Sequence, residues 1–508
     1  MMIIPERIEV HLRSTMGQEE VRNARSVIES MLPGGKLARN VAILIGGTLI
    51  AQGLAVVTAP VLSRLYSPAD YGVFNLFSSI GLIIGMLASL RYEPAIVLAE
   101  KDEEAANVLR LCFSICVCTA GVTLLGVALF RQGIANLFNT PKLVFWLWFM
   151  PVSIIASGSF FALNYWSMRR KQFKRLAGRQ VTNSAATALT QIGGAAIWHP
   201  GAGGLIGGAL IGQLAATGRL AWQVFKDEGK EIIAAVEHKS MSHILCRYKK
   251  FPIYDSWSVL LNTSSTLMPV LLLAYFFNPA IVGFYTFGSK IITVPMGVIG
   301  DGVTRVFYPR AAEGRRAGDL GAVALKMFDA LLGISCAPIL LITIVAPDLF
   351  KIAFGPEWVT AGEYVRWLSV FMLLTFVSAP LSPIFFVMER QREGLIIYIF
   401  AFIIRVSSLV IGGMRGDALF TIGLFAVSET IFRIFSCCYI LRMAGIGISR
   451  TIRSFIREIL RSGPYSLIPL LFWQLSHDSL LYVAGGIGAG ILFLILKAYE
   501  IRKGGGIL

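Results

Sequence analysis

From Asn40 to Lys497 the chain is a succession of apolar runs at bilayer length, and several of them carry fixed charge. A helix needs about 20 apolar residues to cross the hydrocarbon core, where each segment must satisfy its own backbone N–H and C=O groups. Runs near 40–62, 72–98, 108–130, 144–168, 180–198, 203–225, 252–276, 281–307, 321–345, 364–388, 395–413, 418–441, 464–476 and 480–497 meet or approach that length. The 508 residues are 55% hydrophobic and 15% charged, with mean hydropathy +0.68, a balance no water-soluble domain needs. The expected fold class is an all-α polytopic membrane protein. The run 464–476 is short, and charge in the loops favours its crossing together with 480–497 or neither crossing, hence fourteen spans or twelve.

A net charge of +16 invites a nucleic-acid reading, so the placement of the charge has to decide. With the N-terminus inside, six of the 46 Lys and Arg fall outside the membrane (Arg64, Arg131, Lys142, Lys351, Arg366, Arg415) and five within spans (Arg91, Arg219, Lys290, Arg405, Arg433). The rest fall in cytoplasmic tails and loops, which is the positive-inside pattern and sets both termini in the cytoplasm. No basic patch with interleaved aromatics is left over for nucleic acid. The seven cysteines lie in spans or the cytoplasmic loop and read as packing residues, and the five histidines lack metal-ligand spacing. The first 35 residues have no apolar core and read as a cytoplasmic tail, with Met16 and Met31 as alternative starts.

Charge inside the spans points to a wet interior. In the run 281–307, Asp301 and Arg305 lie about 20° and 60° round a helix from Lys290, forming one stripe that cannot face lipid. The alternative is an Asp301–Arg305 pair near the cytoplasmic end, snorkelling to the headgroups and leaving Lys290 to explain. Arg91 and Glu93 are about 200° apart on a helix and so cannot pair, which leaves Arg91 to a carboxylate, a carbonyl, water or an anionic substrate. Arg179, Asn183, Thr187, Thr190 and Gln191 share one helical face, as do Asp255, Asn262 and Thr266; each face suits either a cavity wall or hydrogen bonding between helices. Glu429 and Arg433 stand at i and i+4 and pair locally, whereas Arg405 has no local partner. Gly204, Gly208 and Gly212 recur at i+4 and allow close helix contact.

An internal repeat organises these runs. Pro60 answers to Pro269, and Pro68-Ala69-x-x-Gly72-x-Phe74 to Pro279-Ala280-x-x-Gly283-x-Tyr285, with the same expected orientation. Two parallel six-helix halves with a site between them follow. The expected parts are a tail (1–35), an N-terminal bundle (36–228), a connector (229–250), a C-terminal bundle (251–441), an interfacial amphipathic helix (442–463), and a helix pair with tail (464–508). The interfacial reading rests on Arg450, Arg453, Arg457 and Arg461 alternating with Ile452, Phe455, Ile456, Ile459 and Leu460, a pattern suited to anionic membrane lipids.

NVAILIGGTLIAQ, SRLYSPADYGVF, LRYEPAIVLAEKDEEAANVL, GFYTFGSKIITVPMGVIGDGVTRVFYPR and FGPEWVTAGEYVRWLSVFMLLTFVSAPLSPIFFVMERQ resemble the oligosaccharide flippases of bacterial polysaccharide assembly, within the superfamily of multidrug and lipid-linked oligosaccharide exporters. The resemblance covers about residues 38–500. It implies an inner-membrane transporter that turns undecaprenyl-diphosphate-linked oligosaccharide to the periplasmic leaflet by alternating access, coupled to protons or sodium. It also implies association with a polymerase and a chain-length regulator. Under that reading Arg91, Arg219, Lys290 and Arg405 are diphosphate partners, since guanidinium and ammonium groups offer charge and several donors. Asn183, Gln191 and Asn262 are sugar contacts, and Asp301, Asp255 or Glu429 takes the coupling cation, Asp301 foremost. No cofactor, metal or enzymatic activity is expected, because no nucleophile motif, metal cluster or nucleotide loop is present. A multidrug exporter would want an acidic cavity, a polymerase or ligase would want longer external loops, and a flippase of the peptidoglycan precursor would differ only in substrate.

Overall fold

The computed structural model describes residues 36–197, 201–235, 240–476 and 479–503, so the tail at 1–35 lies outside the described residues. Among these there is no strand, and fourteen helices of eighteen residues or more follow one another. They are α1 (Lys36–Leu65), α2 (Pro68–Gly85), α3 (Asp102–Leu137), α4 (Met150–Arg169), α5 (Phe173–Ile197), α6 (Ala202–Ala234) and α7 (Ser256–Phe276). The second seven are α8 (Pro279–Ala317), α9 (Leu320–Phe354), α10 (Val359–Ser378), α11 (Gln391–Arg415), α12 (Ala418–Met443), α13 (Ile448–Ser476) and α14 (Ser479–Lys503). Among the described residues nine helical stretches are long and apolar enough to cross a membrane. The protein is an all-α, multi-pass membrane protein.

The repeat explains how α2 and α8 start. Ser67 precedes Pro68 and forms a capping box with Asp70, while Asn278 precedes Pro279 and accepts from the Ile281 N–H. Each cap satisfies orphan donors at a helix start, and each proline sits where its missing N–H costs nothing. Pro60 and Pro269 both lie inside the preceding helices, α1 and α7. In the first half α5 packs on α1 and α6, and α4 on α3 and α6; in the second, α10 packs on α9 and α12, and α7 on α11. The halves meet through α2 against α7 and α8, and through α1 against α8 and α9. Helices α13 and α14 pack on each other and on α9.

Two expected elements differ. The run 72–98 is not one helix, because α2 stops at Gly85 and a series of turns follows in which Leu90 and Arg91 are left-handed, with φ of 49° and 59°. The interfacial helix and the short run after it are a single helix, α13, which continues through Pro464 with α9 and α14 on its flanks. Its buried face is polar (Thr451, Ser454, Glu458, Ser462), and Arg457 reaches Asp329 of α9 at 2.9 Å. Ile452, Ile456, Ile459 and Leu460 are exposed, the inverse of a water-soluble amphipathic helix.

Candidate functional site

Two connected chambers lie among α1, α2, α4, α5, α6 and α8. The wide one, 510 Å³, is reached from the α4–α5 turn and is lined by Gln52, Phe160, Arg179, Gln180 and Lys290, among others. The narrow one, 220 Å³, lies towards the α1–α2 turn and is lined by Tyr71, Phe74, Asn183, Thr187, Gln191 and Phe287. Ala55, Asn183, Ser184, Lys290 and Val294 line both, so the chambers form one cavity with Asn183 of α5 and Lys290 of α8 at the seam. Lys290 sits in the apolar part of α8, yet its side chain is accessible, because its free surface faces these chambers. The Arg179 guanidinium lies over the Phe160 ring at 3.5 Å, and its Nε has no hydrogen-bond partner. Neither cation has a carboxylate partner among the described residues. An uncompensated cation inside an apolar bundle is costly unless water or an anion answers it, so the two cations call for such a counterpart in the cavity.

The α5 wall is held by the glycine series on α6. A Cβ at Gly208 would stand 2.5 Å from the Gln191 Cγ, and one at Gly212 would stand 2.0 Å from the Thr187 Oγ1. That close approach seats α5 on α6, with Thr187 and Gln191 against the α6 backbone. Gln191 is itself tied back, donating to the Leu205 carbonyl at 3.0 Å, while its own backbone carbonyl accepts from the Tyr66 hydroxyl at 2.6 Å.

The α1–α2 end is shut. A Cβ on Gly72 would fall 1.7 Å from the Pro279 carbonyl oxygen, and one on Gly283 would fall 1.8 Å from the Pro68 oxygen, so the two repeats cross backbone on backbone. Behind that crossing Tyr71, Phe287 and Trp358 form an aromatic plug, with Tyr71 at 5.2 Å from each of the other two rings and Phe287 at 4.2 Å from Trp358. Trp358 donates to the Ser63 carbonyl at 2.9 Å, which ties the loop after α9 to α1. Gly355, at φ 108°, permits the turn that delivers it.

Over residues 61–363 the sequence matches a family described as polysaccharide biosynthesis protein. The chain belongs to that family. The matched stretch takes in both glycine–proline contacts, the aromatic plug, Arg179 and Lys290. Among curated relatives, the lipopolysaccharide biosynthesis protein WzxC of Escherichia coli (strain K12) is 22% identical over 380 residues, covering 73% of this chain and 74% of that protein. The teichuronic acid biosynthesis protein TuaB of Bacillus subtilis (strain 168) is 20% identical over 263 residues, covering 50% of this chain and 54% of that protein. Among solved structures, the lipid II flippase MurJ in an inward closed conformation superposes with a TM-score of 0.65 at 13% identity, covering 91% of this chain and all 100% of that one. An inward-facing multidrug resistance MATE family transporter gives 0.58 at 15% identity, over 80% of this chain and 98% of that one. These likenesses establish a shared fold.

In this member of the family the expected site residues divide. Lys290, Asn183 and Gln191 line the cavity. Arg91 does not, and the expectation that it cannot pair with Glu93 is wrong: Arg91 Nη1 stands 3.0 Å from Glu93 and its Nε 2.9 Å from Asp255. The left-handed turn at Leu90 and Arg91 breaks the helical spacing that would have separated the two side chains. Asp255 is thereby committed, in a π-helical turn before α7, so it shares no regular helical face with Asn262. Arg405 is not partnerless, because it meets Glu429 at 2.8 Å and donates to the Ser265 carbonyl at 3.0 Å. Arg433 stands at 3.7 Å from Glu429, so the expected i,i+4 pair is the looser one and Glu429 is enclosed by two guanidiniums. Arg219 is exposed on α6 and donates to Thr182, and Asn262 is exposed on α7; neither lines the two chambers. The side chains of Asp301 and Arg305 lie outside the described residues. Arg179, which shares one helical face with Asn183, Thr187, Thr190 and Gln191 but is not among the expected diphosphate partners, lines the wide chamber.

Proposed function

We propose that the protein flips undecaprenyl-diphosphate-linked oligosaccharide repeat units from the cytoplasmic to the periplasmic leaflet of a bacterial inner membrane, for surface polysaccharide or lipopolysaccharide synthesis. The observation that carries this reading is the pair Arg179 and Lys290, two cations without carboxylate partners among the described residues, on the wall of a cavity inside apolar helices. A polyprenyl tail can stay in lipid, whereas a diphosphate cannot cross it unaided, and guanidinium and ammonium groups supply the charge and donors it needs. A small-cation exporter would not place its substrate against two positive charges. The basic α4–α5 turn (Arg169, Arg170, Lys171, Lys174, Arg175) sets the open end of the cavity on the cytoplasmic side, with both termini on that side as well. The protein acts as a transporter and not an enzyme, drawing on a proton or sodium gradient. Since Asp255 and Glu429 are committed to arginines, Asp301 is the residue we assign to the coupling ion. Hand-over to a polymerase and a chain-length regulator completes the scheme.

The test is the leaflet distribution of lipid-linked sugar in a deletion strain complemented with variants. Arg179→Gln and Lys290→Gln, at normal protein levels, should each leave the repeat unit on the cytoplasmic face, inaccessible to an external glycosidase. Full surface polysaccharide with both substitutions combined would overturn the reading.

A further inference from the structure

The narrow chamber has a chemistry distinct from the wide one. Apart from Lys290 at the seam its lining carries no charge, and it offers polar groups that nothing engages: the Tyr71 hydroxyl and the Asn183 amide have no hydrogen-bond partner among the described residues. Polar groups in a protein interior are nearly always satisfied, so two open ones lining one space mark a place for water or a polar ligand. Two of the plug rings, Tyr71 and Phe287, form its floor, and Phe74 lies beside them. Aromatic faces carry partial negative charge and accept the C–H face of a pyranose, while a hydroxyl and an amide meet its O–H groups. The volume of 220 Å³ corresponds to about seven waters at ~30 Å³ each, the room of one sugar ring and not of an extended chain.

We propose that the narrow chamber is a saccharide subsite that reads one sugar ring of the head group, with Tyr71 and Asn183 as its polar contacts, while the diphosphate stays in the wide chamber at Arg179 and Lys290. This rests on the flippase reading above. Because the floor is also the plug, a seated sugar touches Tyr71 and Phe287, the residues that hold the far end shut against Trp358.

The experiment measures binding to the full-length protein in lipid nanodiscs of three probes: undecaprenyl diphosphate, and the same lipid bearing one N-acetylhexosamine or one hexose. At least one sugar-bearing lipid should bind about tenfold tighter than the bare one, as two or three neutral hydrogen bonds predict. Tyr71→Phe keeps the ring and so the plug, and Tyr71 lines the narrow chamber but not the wide one. It should cut the sugar advantage by roughly threefold to tenfold while leaving the bare lipid unchanged. Arg179→Gln should weaken all three probes alike. Equal binding of bare and sugar-bearing lipids by the wild-type protein, or equal loss for all probes in Tyr71→Phe, would overturn the subsite and leave the flippase reading standing. Failure of the wild-type protein to bind any of the three would overturn both.

Discussion

Replacing Gly72 with alanine is the sharpest perturbation the structure offers. The new methyl group would lie 1.7 Å from the Pro279 carbonyl oxygen, 2.5 Å from its carbon and 2.9 Å from its Cα, all of them backbone atoms of α8. A relaxed C···O contact is about 3.3 Å, so α2 and α8 must part by roughly 1.5 Å. No rotamer change relieves this. Forced overpacking costs about 1 to 3 kcal/mol, and here it falls on the conformation closed at the α1–α2 end. A shift of ~2 kcal/mol changes the ratio of closed to open states about 30-fold. The readout is labelling of a cysteine at position 183, on the seam of the cavity, by a membrane-impermeant maleimide added outside spheroplasts that carry an otherwise cysteine-free protein. Labelling should be slow in the parent and on the order of tenfold to thirtyfold faster with Gly72→Ala, and Gly283→Ala should act alike because its methyl meets Pro68 at 1.8 Å. Gly53→Ala, which has nothing within 4 Å, should change nothing. If folded Gly72→Ala and Gly283→Ala protein labels at the parental rate, the crossing is not what closes the cavity.

Two further outcomes concern the charge pairs that took arginines away from the cavity. Glu429 is 1% exposed and faces both Arg405 and Arg433, so Glu429→Gln should cost about 3 to 5 kcal/mol, read as a lower melting temperature and protein level in detergent. Arg405→Met should cost less, since Arg433 remains to balance the carboxylate; a fully stable Arg405→Met protein with transport abolished would return Arg405 to the substrate path. Arg91→Met strands the fully buried Glu93 and should cost about 3 kcal/mol, whereas Asp255, 40% exposed, contributes about 1 kcal/mol or less, so Asp255→Asn should melt close to the parent. The reverse order would show that the contact between halves, and not the buried carboxylate, is what Arg91 stabilises.

The sequence by itself determined the membrane class, the approximate place of most helices and the internal repeat. These depend on hydropathy, caps and prolines, which act within one helix and its turn. It also marked Lys290, Asn183 and Gln191, since a polar group in an apolar run is visible from neighbours a few residues away. The tertiary structure alone decided which charges are free. Arg91 meets Asp255 across 164 positions, and Arg405 meets Ser265 across 140 and Glu429 across 24, so no helical spacing reveals that both are engaged. Only the left-handed pair at Leu90 and Arg91 brought Glu93 within reach, and only the packing of α5 between α1 and α6 turned Arg179 inward. The repeat shows the same division. Its glycines are legible as a pattern, but that each abuts the proline of the other copy depends on how two distant helices cross.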